Sequence, residues 1–365
     1  MNFKLPEYRS PDFTDEIFIS APDVLTEKVQ IKGIAPDNYH ATSIYPEYFK
    51  INGKWILAPE SRMDCVAVLD KYNNLSIKEF RNLELGDEVI LGRSENASQG
   101  IFVYTDGFED NSKMKNQVFS FRTGRTRESA YSKDYDSLYE LLKYERENGY
   151  ILWVLGPAVV FDADSKKAMS SLIENGYADC IFAGNALATH DLEGSLFKTA
   201  LGQNIYTQHS VVNGHYNHID VINKVRKSGS FRDFIEKEHI KNGVVYSCIK
   251  NKIPLILAGS IRDDGPLPPV ISNVYSAQDT MRSYCKKATT VICLATQLHT
   301  IATGNMTPVY KIEGKKIRPV YIYTVDISEF VVNKLRDRGS LEVTSIVTNV
   351  QDFIVNVSNN LVGRD

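Results

Sequence analysis

From residue 151 onward the chain alternates short, unbroken apolar runs with longer stretches in which apolar residues recur at helical spacing. The runs at 151–155, 180–182, 254–257, 291–294, 320–325 and 345–347 predict strands buried on both faces. The stretches 165–174, 218–227, 231–241, 277–287 and 329–336 predict the helices between them, and 352–361 a last helix. Strand and helix in alternation imply a parallel sheet with helices on both sides.

The earlier part of the chain reads differently. Between residues 29 and 104 the apolar runs (29–31, 45–51, 55–57, 65–69, 89–92 and 101–104) are short and punctuated by Gly, Asn, Pro and Asp. Asn52-Gly53 is the strongest hairpin signal in the chain. Residues 106–115 are polar and suit a linker, and Leu138, Leu141, Leu142 and Glu145 lie at helical spacing. The expected organisation is an arm over 1–28 suited to packing on another subunit, a small β-rich domain over 29–115, and an α/β domain over 116–365. The fold class is therefore α/β, with a smaller N-terminal β-rich domain.

Composition narrows the picture. With 365 residues, 43% of them hydrophobic and 24% charged, the chain has the length and apolar content for more than one core. A net charge of -3 gives no basic footprint, so nucleic acid is not an expected partner. No apolar run approaches the ~20 residues of a membrane span, and the first residues lack the pattern of a signal peptide. The expectation is a cytoplasmic protein with no membrane partner. The five cysteines are scattered and mostly inside apolar runs, as reduced core thiols are, and no C-x-x-C occurs.

The strand ends carry the candidate chemistry. In chain order they are Gly156-Pro157-Ala158, Ala183-Gly184-Asn185, Ala258-Gly259-Ser260, Ala295-Thr296-Gln297, Asp326 and Thr348-Asn349. Ligands of open α/β sheets bind outside the carboxyl ends of the strands, near the point where strand order reverses. At the second of these ends Asn185, Thr189, His190, Asp191 and Glu193 crowd the start of a helix, where bare N–H groups favour an anion.

Other constellations leave alternatives open. No G-x-G-x-x-G is present, yet residues 291–305 form a strand and a small-residue turn, with Thr296 to His299 offering backbone donors to a pyrophosphate. Asp326 ends the next strand and suits either a ribose diol or a helix cap. Arg262, Asp263 and Asp264 share a loop stiffened by Gly265, Pro266 and Pro268. They can act as base and orienter, or as a charged turn. Arg122, Arg125 and Arg127 form a group able to grip a carboxylate, or a solvated loop. His190, His209, His215 and His218 lie close in sequence but lack metal-ligand spacing, so contacts to substrate or cofactor, or proton transfer, are favoured over a metal.

Taken together, M-D-C at 63–65, G-P-A-V-V at 156–160, A-G-N-A-L-A at 183–188, H-D-L-E at 190–193, A-G-S-I-R-D-D-G-P-L-P at 258–268, L-A-T-x-L-H and I-A-T-G-N within 294–305, and D-R-G-S at 337–340 resemble one family. It is the NAD-dependent ornithine cyclodeaminases, found also as the C-terminal half of bifunctional arginine dihydrolases and often labelled LOR/SDH. The resemblance runs from about residue 32 to the C-terminus. It implies a parallel-sheet NAD-binding domain of the deoxyhypusine-synthase-like type. It further implies NAD contacts at Asn185, Ala186, Asp264, Thr296, Gln297, Leu298, His299, Asp326, Asn349 and Val350.

The implied reaction oxidises the α-amino carbon of L-ornithine by hydride transfer. The δ-amine then attacks the imine, ammonia leaves, and the stored hydride reduces the cyclic imine to proline. Asp263 or His190 is expected to move protons, and Arg262 or Arg125 to hold the substrate carboxylate. Three departures stand out: no counterpart of the separate N-terminal domain of full-length members, Phe161 where the family pattern leads one to expect His, and an unmatched segment at 122–128. Two further readings are carried, another NAD-dependent imine-forming dehydrogenase or aminoalkyl transferase, and a non-catalytic nucleotide sensor. A homodimer or homotetramer is the expected assembly.

Overall fold

Six strands, Ile151–Leu155, Cys180–Gly184, Leu255–Ala258, Thr290–Leu294, Tyr321–Asp326 and Glu342–Val347, join in one parallel sheet. Numbered by their appearance in the chain, they lie in the order 3-2-1-4-5-6, which is that of a dinucleotide-binding sheet. The computed structural model describes residues 3–108, 132–263, 265–328 and 342–363. Every residue of Ile151–Leu155 and Thr290–Leu294 is buried, which is why these strands read as continuous apolar runs rather than alternating ones.

Helices cover both faces. On one side Ser132–Asn148, Ala163–Glu174, Val244–Asn251 and Val350–Leu361 enclose a core containing Trp153, Leu172, Val245 and Phe353. On the other, Val274–Cys285 and Gln297–Met306 pack Met281, Cys285 and Met306 against Val154 and Phe182. The helix expected over 231–241 stops at Lys237, because His239 turns left-handed with φ 53° and Ile240 N–H bonds back to Ile235 O. The expected helix over 329–336 lies outside the described residues.

The N-terminal region holds two antiparallel sheets. Leu25–Lys28, Glu88–Leu91, Val66–Leu69 and Leu75–Lys78 form one, and Lys54–Leu57, Glu47–Ile51 and Ile101–Val103 the other. Phe49, Ile51, Ala67, Ile90 and Ile101 close the core that they share. Asn52 and Gly53 both take positive φ, 51° and 73°, as a two-residue hairpin turn requires. The first strand is 25–28 rather than the expected 29–31, so the lead-in supplies an edge strand. The rest of the lead-in packs on its own chain, with Phe3 against Tyr144 and Tyr321 and Phe13 against Trp55.

The two regions are joined by charge. Arg282, buried on the Val274–Cys285 helix, meets Glu60 at 3.1 Å and Glu79 at 3.2 Å, and Lys286 meets Glu60 at 2.9 Å. Nearby, Tyr310 OH donates to Ala58 O at 2.7 Å and Val309 N–H to Ser61 Oγ at 2.9 Å. All five cysteines are buried thiols without disulfides, as expected, and burial pushes Cys65 up to about 11 and Cys285 and Cys293 up to about 12. Among the described residues no helix is long and apolar enough to cross a membrane.

Candidate active site

Strand order reverses between Ile151–Leu155 and Thr290–Leu294, so the crevice for a ligand lies between their carboxyl ends, Gly156 and Ala295. The Gly156 N–H donates to Leu294 O at 2.7 Å, and a Cβ on Gly156 would lie 1.9 Å from Ala295 O. Ala295 itself adopts φ 49°. That left-handed conformation costs a residue with a Cβ about 1–2 kcal/mol, a strain of the kind that concentrates at functional sites.

The helix after the first strand is closed to an anion, since Asp162 caps it by accepting from Ser165 N–H at 2.9 Å. The helices after the second and fourth strands, Asn185–Phe197 and Gln297–Met306, have no side-chain cap. The His299 side chain of the second reaches the start of the first at Gly184, where a Cβ would stand 3.2 Å from its Cε1. Two helix N-termini with unsatisfied N–H groups thus converge at one sheet edge and suit a diphosphate. The uncapped helix starts follow strands other than the first, where a glycine fingerprint would lie.

Beside the start of Asn185–Phe197 opens a cavity of about 460 Å³. Asn185, Ala186, Thr189 and His190 form its floor, His218, Ile219, Asp220, Ile222, Asn223 and Arg226 of the Asn217–Ser228 helix one wall, and Arg262, Asp263 and Gly265 the other. Asn185 Oδ1 accepts from Leu267 N–H at 2.9 Å and so ties the floor to the 259–273 loop. Arg226 Nε donates to Pro266 O at 3.2 Å, which holds its guanidinium beside the same loop. The buried Thr189 hydroxyl and His218 Nδ1 have no hydrogen-bond partner among the described residues. They are polar atoms that a bound ligand can satisfy.

Carboxylates organise the floor. Glu193 accepts from His190 Nδ1 at 2.8 Å, Thr199 Oγ1 at 2.8 Å, Leu201 N–H at 3.2 Å and Gly202 N–H at 3.3 Å. Burial pushes its carboxyl up, but the bonds from His190 and Thr199 outweigh that and hold it below the usual carboxylate range. Asp191 has a structural role: it receives Val244 N–H at 2.9 Å and Val245 N–H at 2.8 Å and meets Lys166 at 3.4 Å. Burial lowers the His299 imidazole below its ordinary range, opposed by the Asp263 carboxylate.

The structure brings His190, Arg262, Asp263, Asn185 and Ala186 to one cavity, with Thr296, Gln297, Leu298 and His299 at the adjoining helix start. Asp326 ends the fifth strand at the same edge and accepts from Ser328 N–H at 2.9 Å. Asn349 caps the last helix by accepting from Gln351 N–H at 2.8 Å and Asp352 N–H at 3.3 Å, while the Val350 side chain is buried. Arg125 and Asp264 lie outside the described residues. His209 and His215 are exposed on the 201–216 segment and do not line the cavity. Arg226, unmarked by any motif, does line it. Among the described residues no cluster of His, Cys and carboxylates is arranged for a metal.

Comparison with known proteins follows the same lines. Residues 138–357 match the family described as arginine dihydrolase ArgZ-like, C-terminal, Rossmann fold. The ornithine cyclodeaminase of Methanopyrus kandleri is 36% identical over 343 residues, covering 92% of this chain and 78% of the relative. A LOR/SDH protein of Methanococcus maripaludis S2 superposes with a TM-score of 0.84 at 34% identity, covering 93% of this chain and 98% of that one. The ternary complex of AgrE with ornithine and NAD+ aligns with a TM-score of 0.59 at 32% identity, over 94% of this chain and 46% of AgrE.

Proposed function

The chain belongs to the ornithine cyclodeaminase family, whose C-terminal Rossmann region it shares with the ArgZ-like dihydrolases, and from that footing we propose that it converts L-ornithine to proline and ammonia with NAD. The observation that carries the cofactor is the meeting of two uncapped helix N-termini beside the switch point. The first-turn N–H groups of Asn185–Phe197 and Gln297–Met306 would hold the diphosphate, and Asp326 a ribose diol. Thr296 to His299, Asn185 and Ala186 line its path, and Asn349 and Val350 reach it through backbone, since the Asn349 side chain is spent as a cap. When bound, NAD supplies a hydride acceptor at the substrate α-carbon and returns the hydride at the end of the cycle, so the net reaction is redox-neutral.

The residues of the chain do the binding and the proton work. Arg262 and Arg226, which both line the cavity, supply guanidinium groups for the α-carboxylate. Loss of hydride from the α-carbon requires a neutral α-amine, so a base must first take one proton from the ammonium, and an acid must later protonate the departing nitrogen. His190 and Asp263 face the cavity and can exchange that proton. A lone nucleotide sensor would have no use for this arrangement of base, carboxylate and guanidinium. We place the enzyme in the cytoplasm as a homodimer or homotetramer.

The test is to incubate the purified protein with NAD and L-ornithine and to assay proline, ammonia and NADH. Equal amounts of proline and ammonia without accumulated NADH are expected. NADH accumulating with ornithine would instead favour an imine-forming dehydrogenase. No ammonia from ornithine, with turnover of another diamino acid, would overturn the substrate assignment.

A further inference from the structure

We infer that Glu193 is a positioning residue that fixes the His190 ring and the cavity-wall helix Asn217–Ser228 as one unit, leaving His190 Nε2 as the atom that carries the proton. The inference rests on the cyclodeaminase reading for its kinetic consequence only.

Glu193 is fully buried and is bonded to four partners. An ionised carboxylate can only accept, so every one of those partners donates, and His190 Nδ1 must bear a hydrogen. In the neutral ring Nε2 then keeps its lone pair and acts as the base. A turn brace alone does not need this chemistry, because the Leu201 and Gly202 N–H groups would be satisfied by any acceptor. A carboxylate, which cannot donate, sets the tautomer of the histidine as well. The reach extends further: Thr199 donates to Glu193 and accepts from Asn217 Nδ2 at 2.8 Å, at the first residue of the cavity-wall helix. That helix carries His218, whose ring centroid lies 5.9 Å from that of His190, and Arg226 two turns on.

Among the described residues, the groups around His190 come from four segments. Phe161 packs edge-on at 5.5 Å and does not titrate. Lys166, from the Ala163–Glu174 helix, acts electrostatically on Glu193. His218, Asp220 and Arg226 face the cavity from one wall and Arg262 and Asp263 from the other. Among these Glu193 alone is bonded to the ring.

Two measurements test the inference. In the protein labelled with 15N in the imidazole rings, with His190→Gln identifying the resonance, neutral His190 should be the Nδ1–H tautomer. A wild-type ring found as the Nε2–H tautomer overturns the proposal without reference to turnover. In Glu193→Gln, kcat for ornithine should fall by about 10- to 100-fold, as when other outer partners of a functional histidine are removed, with KM changed by less than about threefold. An unchanged kcat in Glu193→Gln would also overturn the inference. Should the wild type fail to use ornithine at all, the cyclodeaminase reading falls while the tautomer measurement still decides the role of Glu193.

Discussion

Gly156 and Ala295 meet backbone to backbone where the sheet changes direction, so close that a single added carbon on Gly156 would lie 1.9 Å from the Ala295 carbonyl oxygen. Gly156→Ala must therefore push two strand ends apart at the cofactor crevice. The expected cost is about 1–3 kcal/mol, as for other overpacked sites, read as a lower melting temperature. NAD affinity should fall alongside it, which a titration of the folded variant checks.

Arg226 is expected to matter as much as Arg262. In the proposed function each would give the substrate carboxylate a charge-assisted bond, worth about 1.5–3 kcal/mol, so Arg226→Ala and Arg262→Ala should each raise KM for ornithine by roughly 10- to 150-fold. If binding of ornithine and its transition state is affected alike, kcat stays near wild type. Steady-state kinetics with ornithine separate the two parameters. A KM unchanged in Arg226→Ala would remove that wall from substrate binding.

His299 should titrate below its ordinary value of 6.5, since burial disfavours its charged form. Asp263 opposes that shift, so Asp263→Asn should lower the midpoint further. The unfolded chain binds the proton more readily, so the stability that neutral His299 contributes is intact above pH 6.5 and is lost as pH falls through the folded midpoint. NMR titration of the ring, with denaturation measured across the same range, tests both signs.

Arg318 and Glu145 form a buried ion pair, and Thr289 Oγ1 donates to the same carboxylate at 2.6 Å. Glu145→Ala should cost about 3–5 kcal/mol because it leaves a guanidinium buried without its partner charge. Replacing both members with apolar residues, Glu145→Leu with Arg318→Met, should be less damaging than the single change. Chemical denaturation of the two variants provides the comparison.

Much of this architecture was legible because its physics is local. Strands 151–155 and 290–294 are buried on both faces and so appear as plain apolar runs, and the Asn52-Gly53 turn is dictated by positive φ at both residues. The converging strand ends follow from parallel topology once alternation is recognised. Less visible were features set by tertiary contact. Arg226 sits beside Lys227 at the end of a helix and reads as ordinary surface charge until Pro266 O is found to hold it. Asp191 and Glu193, two residues apart, look alike in sequence. Only the fold assigns one to a helix start and the other to a histidine. The hairpin of Tyr310–Glu313 and Lys316–Pro319 escaped notice because charges interrupt its apolar residues and Gly314 turns it with φ 62°.

The ionic seam between the two regions bears on what can be cut from this chain. The ArgZ-like Rossmann region begins at residue 138, yet Arg282 within it is neutralised by Glu60 and Glu79, and Tyr310 OH and Val309 N–H donate to Ala58 O and Ser61 Oγ. A fragment trimmed to the shared stretch would expose a stranded guanidinium and orphaned donors along one flank. The Rossmann region is therefore braced by the residues that precede it, and removing them strips that flank of its ionic and hydrogen-bonding partners.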